Sequence, residues 1–120
     1  MTSSAAQLPN ETLTAGLVCD LDALTPAERE QQAATFEQLR QQVQAVEELP
    51  EGWAVKLPAA SSTLALVARF IENERRCCPF FDFNLAVSSD AGPIWLRITG
   101  RPGVKEFLAG AFVSTDSKEK

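Results

Sequence analysis

Two runs of alternating side chains, each paired with a turn and held apart by a helical stretch, constrain this 120-residue chain more than any other feature. Phe81, Phe83, Leu85 and Val87 alternate with Asp82, Asn84 and Ala86, the period of two that marks a half-buried strand. Ser88-Ser89-Asp90-Ala91-Gly92 turns the chain, and Ile94, Leu96 and Ile98 alternate with Trp95, Arg97 and Thr99 as its partner. Upstream, Pro50-Glu51-Gly52 followed by alternating Trp53, Val55 and Leu57 predicts a second hairpin. Its first strand is read from Val43 to Leu49, although Val46 would also fit a continuing helix.

The helices have their own punctuation. Thr25-Pro26-Ala27-Glu28 predicts a helix start in which Thr25 caps, Pro26 takes the first turn and Glu28 reaches back to close a capping box. Phe36, Leu39 and Val43 then share one face, and the Glu and Gln residues are assigned to the solvated face. A second helix runs from Ser61, read as its cap, through Leu64, Val67, Ala68 and Ile71 to Cys77-Cys78. Pro79 stops it, because a residue before proline is driven out of helical geometry. Gly100-Arg101-Pro102-Gly103 leads into a short last helix carrying Val104, Phe107 and Leu108.

The order is α-β-β-α-β-β-α, which predicts an α+β fold: a four-stranded, mainly antiparallel sheet with helices packed on one face. At this length roughly two thirds of the unfolded surface can be buried, so one domain with one core is expected. Residues 12–113 are assigned to it, and the polar, aperiodic ends 1–11 and 114–120 are read as disordered tails. A net charge of −5 sets the chain against a phosphate backbone, which argues against nucleic acid as a partner. No apolar run approaches the roughly 18–20 residues that span a bilayer, and no basic start precedes an apolar stretch. Membrane association is therefore not expected, and a cytoplasmic location is. An exposed hairpin edge would allow a homodimer.

Chemistry concentrates in the three cysteines, Cys19, Cys77 and Cys78, in a chain without histidine. The commonest general base and metal ligand is thus missing. Three cysteines cannot all pair within one chain, and a reducing compartment favours free thiols or thiolate ligands over a disulfide framework. Adjacent cysteines rarely bond to each other, so Cys77 and Cys78 present two separate sulfurs near one point. If the segment holding Cys19 and Asp20 folds back over the end of the second helix, three sulfurs converge. Thiolates in that arrangement suit a soft ion: Hg(II), As(III), Pb(II) or Cu(I). Zinc would need a fourth ligand, for which Asp20 and Glu74 are the nearby carboxylates. Glu74 lies one helical turn before Cys78. Arg75 and Arg76 pull the thiol pKa down while the helix terminus pushes it up, and the sequence leaves that balance open.

Plainer readings compete with each of these features. Free cysteine packs as a small hydrophobe, so these positions could simply fill space. Trp53, Trp95, Phe80, Phe81 and Phe83 could line an apolar pocket, though aromatics on strands more often form core. Gly100 to Gly103 lacks the glycine spacing of nucleotide loops and reads as a plain turn.

Glu74-Arg75-Arg76-Cys77-Cys78-Pro79-Phe80-Phe81, then Gly92-Pro93-Ile94-Trp95-Leu96-Arg97-Ile98-Thr99-Gly100 and Gly103-Val104-Lys105-Glu106-Phe107-Leu108, resemble a family of small bacterial proteins. The Cys19-Asp20-Leu21 segment and the helix start from Leu24 to Arg29 resemble it too, so the likeness spans roughly residues 15–110. It implies that all three cysteines belong to the family pattern, and it is loosely associated with heavy-metal resistance. No activity comes with it. Two thiols beside a carboxylate also resemble, in constellation alone, the organomercurial lyases, whose spacing and fold differ. The expected function is therefore binding of a thiophilic metal or metalloid ion (Hg, As, Cu or Zn) by Cys19, Cys77 and Cys78 with Asp20 or Glu74, more a binding role than an enzyme. The alternatives are a thiol redox protein in which Cys19 resolves the adjacent pair, and an interaction module with structural cysteines.

Overall fold

A computed structural model describes residues 19–112. The expected tails, the proposed domain start at residue 12 and its end at 113 lie outside that range. A 3-10 turn at Leu21–Ala23 precedes helix α1 (Pro26–Gln42), strands β1 (Ala45–Leu49) and β2 (Gly52–Leu57), helix α2 (Ser61–Cys77), strands β3 (Phe81–Val87) and β4 (Ile94–Gly100), and helix α3 (Val104–Phe112). The α+β order read from the sequence is the order observed.

The capping box at α1 forms as its residues dictate. Thr25 Oγ1 accepts from the Glu28 backbone at 3.1 Å, while Glu28 Oε1 accepts from the Thr25 N–H at 2.9 Å. Two boundaries differ from expectation. Val43 is the C-cap of α1, its N–H donating to the Arg40 carbonyl, so β1 begins two residues later, at Ala45. Helix α2 is capped by Ala60 without any side-chain bond, and Ser61 is already its first helical residue. The apolar face of α2 drives that helix, with Val67 and Phe70 buried and no cap needed.

The four strands form one antiparallel sheet in the order β1-β2-β4-β3. Both hairpins are therefore present, and β2 and β4 meet across the middle, with Val55 opposite Leu96 and Leu57 opposite Ile94. Leu96 also sits opposite Leu85 of β3, so the alternation in each strand delivers one continuous apolar face. Gly52 opens β2 where a Cβ would run into the Ile98 carbonyl of β4, so only glycine lets these strands approach. The helices cover the apolar face: Leu39 of α1, Val67 and Phe70 of α2, and Val104 and Leu108 of α3 join Val55, Leu57, Ile94, Leu96 and Ile98 in a single buried cluster. Trp53 belongs to the edge of that cluster, its indole N–H donating to the Lys105 carbonyl at 2.9 Å. Among the described residues no helix is long and apolar enough to cross a membrane.

Removing the cap in Thr25→Ala leaves helix N–H groups unsatisfied and should lower the unfolding free energy by about 1 kcal/mol in urea denaturation. An unchanged midpoint would mean that packing alone holds the start of α1.

Candidate thiol site at the end of helix α2

Pro79 ends α2, and the carbonyls of a terminating helix need donors from elsewhere. The Cys78 N–H closes back on the Glu74 carbonyl at 2.7 Å. The Cys77 carbonyl accepts from the Asp20 N–H at 2.6 Å, which brings the segment before α1 onto the end of α2. Arg76 fastens the same contact from the other side. Its Nη2 donates to the Ala23 carbonyl at 3.0 Å, and its Nη1 lies 3.2 Å from Glu28 Oε2. Glu28 therefore caps α1 and anchors α2 with one carboxylate.

This fold-back carries Cys19 to the adjacent pair, where it forms a disulfide with Cys78 (S–S 2.07 Å, Cα–Cα 4.5 Å). The expectation of free thiols in all three positions is corrected here: the contact between segment and helix end puts two of them at bonding distance. Cys77 stays a free, buried thiol, and its sulfur lies 3.7 Å from that of Cys78. The neighbours in sequence are thus close without being bonded. Only the Cys77 S–H can donate in that contact, because the Cys78 sulfur has no proton in the disulfide.

Glu74 completes the cluster. Its carboxylate and the sulfurs of Cys77 and Cys78 all lie within 4.8 Å of one another. Burial pushes the Glu74 carboxyl above its ordinary value near 4.5, against the opposing pull of a hydrogen bond from Gln32. Gln32 Nε2 donates to Glu74 Oε1 at 2.7 Å and to the Phe70 carbonyl at 3.1 Å. Burial likewise pushes the Cys77 thiol up; the Glu74 and Asp20 charges add to this, while a backbone hydrogen bond and Arg76 act against it. The balance left open by the sequence is decided by burial, and Cys77 is held as a thiol. Asp20 is exposed, and its carboxylate accepts from the Asp22 N–H at 3.1 Å in a local turn. Its backbone shapes the site more directly than its side chain.

The cluster opens on a cavity of about 360 Å³ between the helices and the sheet, walled by Leu24, Phe36, Phe70, Phe81, Ile98 and Leu108 and bordered by Cys19, Cys77, Cys78, Glu74 and Gln32. Of the aromatics singled out as core or pocket, Phe81 serves both roles, and its ring packs edge-on to Phe83 at 6.0 Å. Gln32 went unrecognised in the sequence and is corrected from solvated to buried. The spacing of Gln32, Phe36 and Leu39 places it on the apolar face of α1, which is the signal that identifies it.

Comparison with family models, with curated proteins and with solved structures finds no match.

Because the folded carboxyl titrates above the unfolded one, folding takes up a proton at Glu74. Its contribution to stability is full below about pH 4.5 and is lost as pH rises through the folded pKa. Glu74→Gln should therefore melt a few degrees above the native chain at pH 7 and level with it at pH 4. The reverse order at pH 7 would show that the carboxylate is compensated rather than stranded. In the native chain Cys77 should react with iodoacetamide far more slowly at pH 7 than an exposed thiol, accelerating only at alkaline pH. Fast alkylation at neutral pH would contradict its burial as a thiol.

Proposed function

We propose that this protein, with its cysteines reduced, binds a thiophilic metal or metalloid ion through Cys19, Cys77 and Cys78, with Glu74 as an additional ligand. The observation that carries this reading is the spacing of the sulfurs. Two thiolates about 2.3 Å from one tetrahedral centre stand about 3.8 Å apart. Cys77 and Cys78 stand 3.7 Å apart, and Cys19 is close enough to bond to the second of them. Reduction of the Cys19–Cys78 bond would free both sulfurs to join Cys77 in holding one ion. Sulfur donors with one carboxylate favour a soft ion, Hg(II), As(III) or Cu(I), over a hard one, and zinc is the borderline case. Binding releases the proton held by Cys77, so affinity rises with pH. Binding of this kind would require a reducing compartment such as the cytoplasm, and it accords with the loose association of the resembled family with heavy-metal resistance.

The disulfide favours a second reading, thiol redox chemistry in which Cys78 is the attacking thiolate and Cys19 resolves it. The raised pKa of Cys77 leaves that residue out of the attack.

Anaerobic titration of the reduced protein with Hg(II) and with arsenite, followed by sulfur-to-metal absorbance, separates the two. One tight equivalent, weakened at least tenfold in each of Cys19→Ser, Cys77→Ser and Cys78→Ser, is expected. If loss of Cys77 has no effect, or affinity matches that of a small dithiol, the three-sulfur site is wrong and the redox reading takes precedence.

A further inference from the structure

The sulfurs do not face a closed polar cage of the kind that suits a bare ion. They border the Phe-walled cavity of about 360 Å³, several times the volume of a single ion and ample for an aromatic ring. Phe36 and Phe70 stack at 6.1 Å between centroids, and Phe81 and Phe107 lie 6.0 Å apart with their rings tilted by 52°, so the wall offers aromatic surface for a further ring. A second observation marks the cavity as a ligand site. Gln32 is 8% exposed and borders the cavity, yet its Oε1 has no hydrogen-bond partner among the described residues. A buried acceptor left bare at a cavity wall is costly and calls for a donor from a ligand.

We propose, resting on the reading above, that the site takes its thiophilic centre with one aromatic substituent attached, as a monoaryl arsenic(III) species whose ring lies in the cavity. Such a species reaches the site as R–As(OH)2. A thiol reductant first converts the Cys19–Cys78 disulfide to two thiols and is itself oxidised to its disulfide. Each protein thiol then forms one As–S bond as one As–O bond breaks, and its proton leaves with the hydroxide as water. Two exchanges give R–As(S-Cys)2 and two waters, with no change in the oxidation state of arsenic. In the singly exchanged species the remaining hydroxyl can donate to Gln32 Oε1, until the second exchange removes it as water. An aryl group adds buried apolar area that inorganic arsenite cannot supply.

The test compares phenylarsine oxide with sodium arsenite on reduced protein under argon, each normalised to its affinity for dithiothreitol. The expected result is a preference for the phenyl compound about tenfold to a hundredfold beyond that of dithiothreitol, the worth of burying one phenyl-sized group. Ala33 is exposed and borders the cavity, so Ala33→Phe narrows the space while leaving the sulfurs in place. In that variant the extra preference should fall to near one with arsenite affinity unchanged. A second readout needs no variant: the fluorine resonance of bound 4-fluorophenylarsine oxide should lose its solvent isotope shift between H2O and D2O. If arsenite binds tightly but the preference equals that of dithiothreitol and the fluorine remains solvent-exposed, the aryl proposal fails and ion binding stands. If neither compound binds more tightly than to dithiothreitol, both readings fall together.

Discussion

The Asp20 N–H to Cys77 carbonyl bond, at 2.6 Å, is the contact on which the site depends. It exists because Pro79 ends α2 abruptly and leaves a helix terminus in want of a donor. Satisfying that carbonyl draws the chain before α1 across the end of α2, and the Arg76 bonds to Ala23 and Glu28 hold it there. Everything chemically distinctive follows from this fold-back. Cys19 meets Cys78, Cys77 is covered, and Glu74 is shut in behind them with Gln32 as its partner.

Burial then sets the character of the site. A carboxyl and a thiol that would each ionise at lower pH in water are both pushed toward their neutral forms. In the closed form the site is a disulfide, a thiol and a weakly acidic carboxyl facing an apolar cavity. Reduction of the Cys19–Cys78 bond would leave three thiols at this end of α2. Under the proposed metal-binding function, the disulfide and a bound ion would compete for Cys19 and Cys78, and the redox state of that one bond would control the site.

The cavity itself is a consequence of layering. The sheet turns the alternating faces of β2, β3 and β4 toward the helices, and α1 and α2 lie side by side above them. Leu39, Val67 and Val104 belong to the buried cluster, and the cavity beside the end of α2 is walled by Phe36, Phe70 and Phe81. The flat rings leave room there. The sulfur cluster lies at that end because the cysteines terminate the helix whose middle builds the core.

Much of this was legible in the residues themselves. Alternation in Phe81–Val87 and Ile94–Ile98, the capping box at Thr25 and Glu28, and the proline after Cys78 are local signals, each acting within a few residues, and they determined the element order and the α+β class. The approach of Cys19 to the adjacent pair was legible only as a condition, because closing a 59-residue separation depends on contacts that no local pattern encodes. Two things were decided by tertiary structure alone. Gln32 was drawn inward by Phe70 and Glu74, and burial outweighed Arg76 at Cys77. The physical reason is common to both: desolvation and long-range hydrogen bonding depend on what the rest of the chain places nearby, and that is known only once the layers have packed.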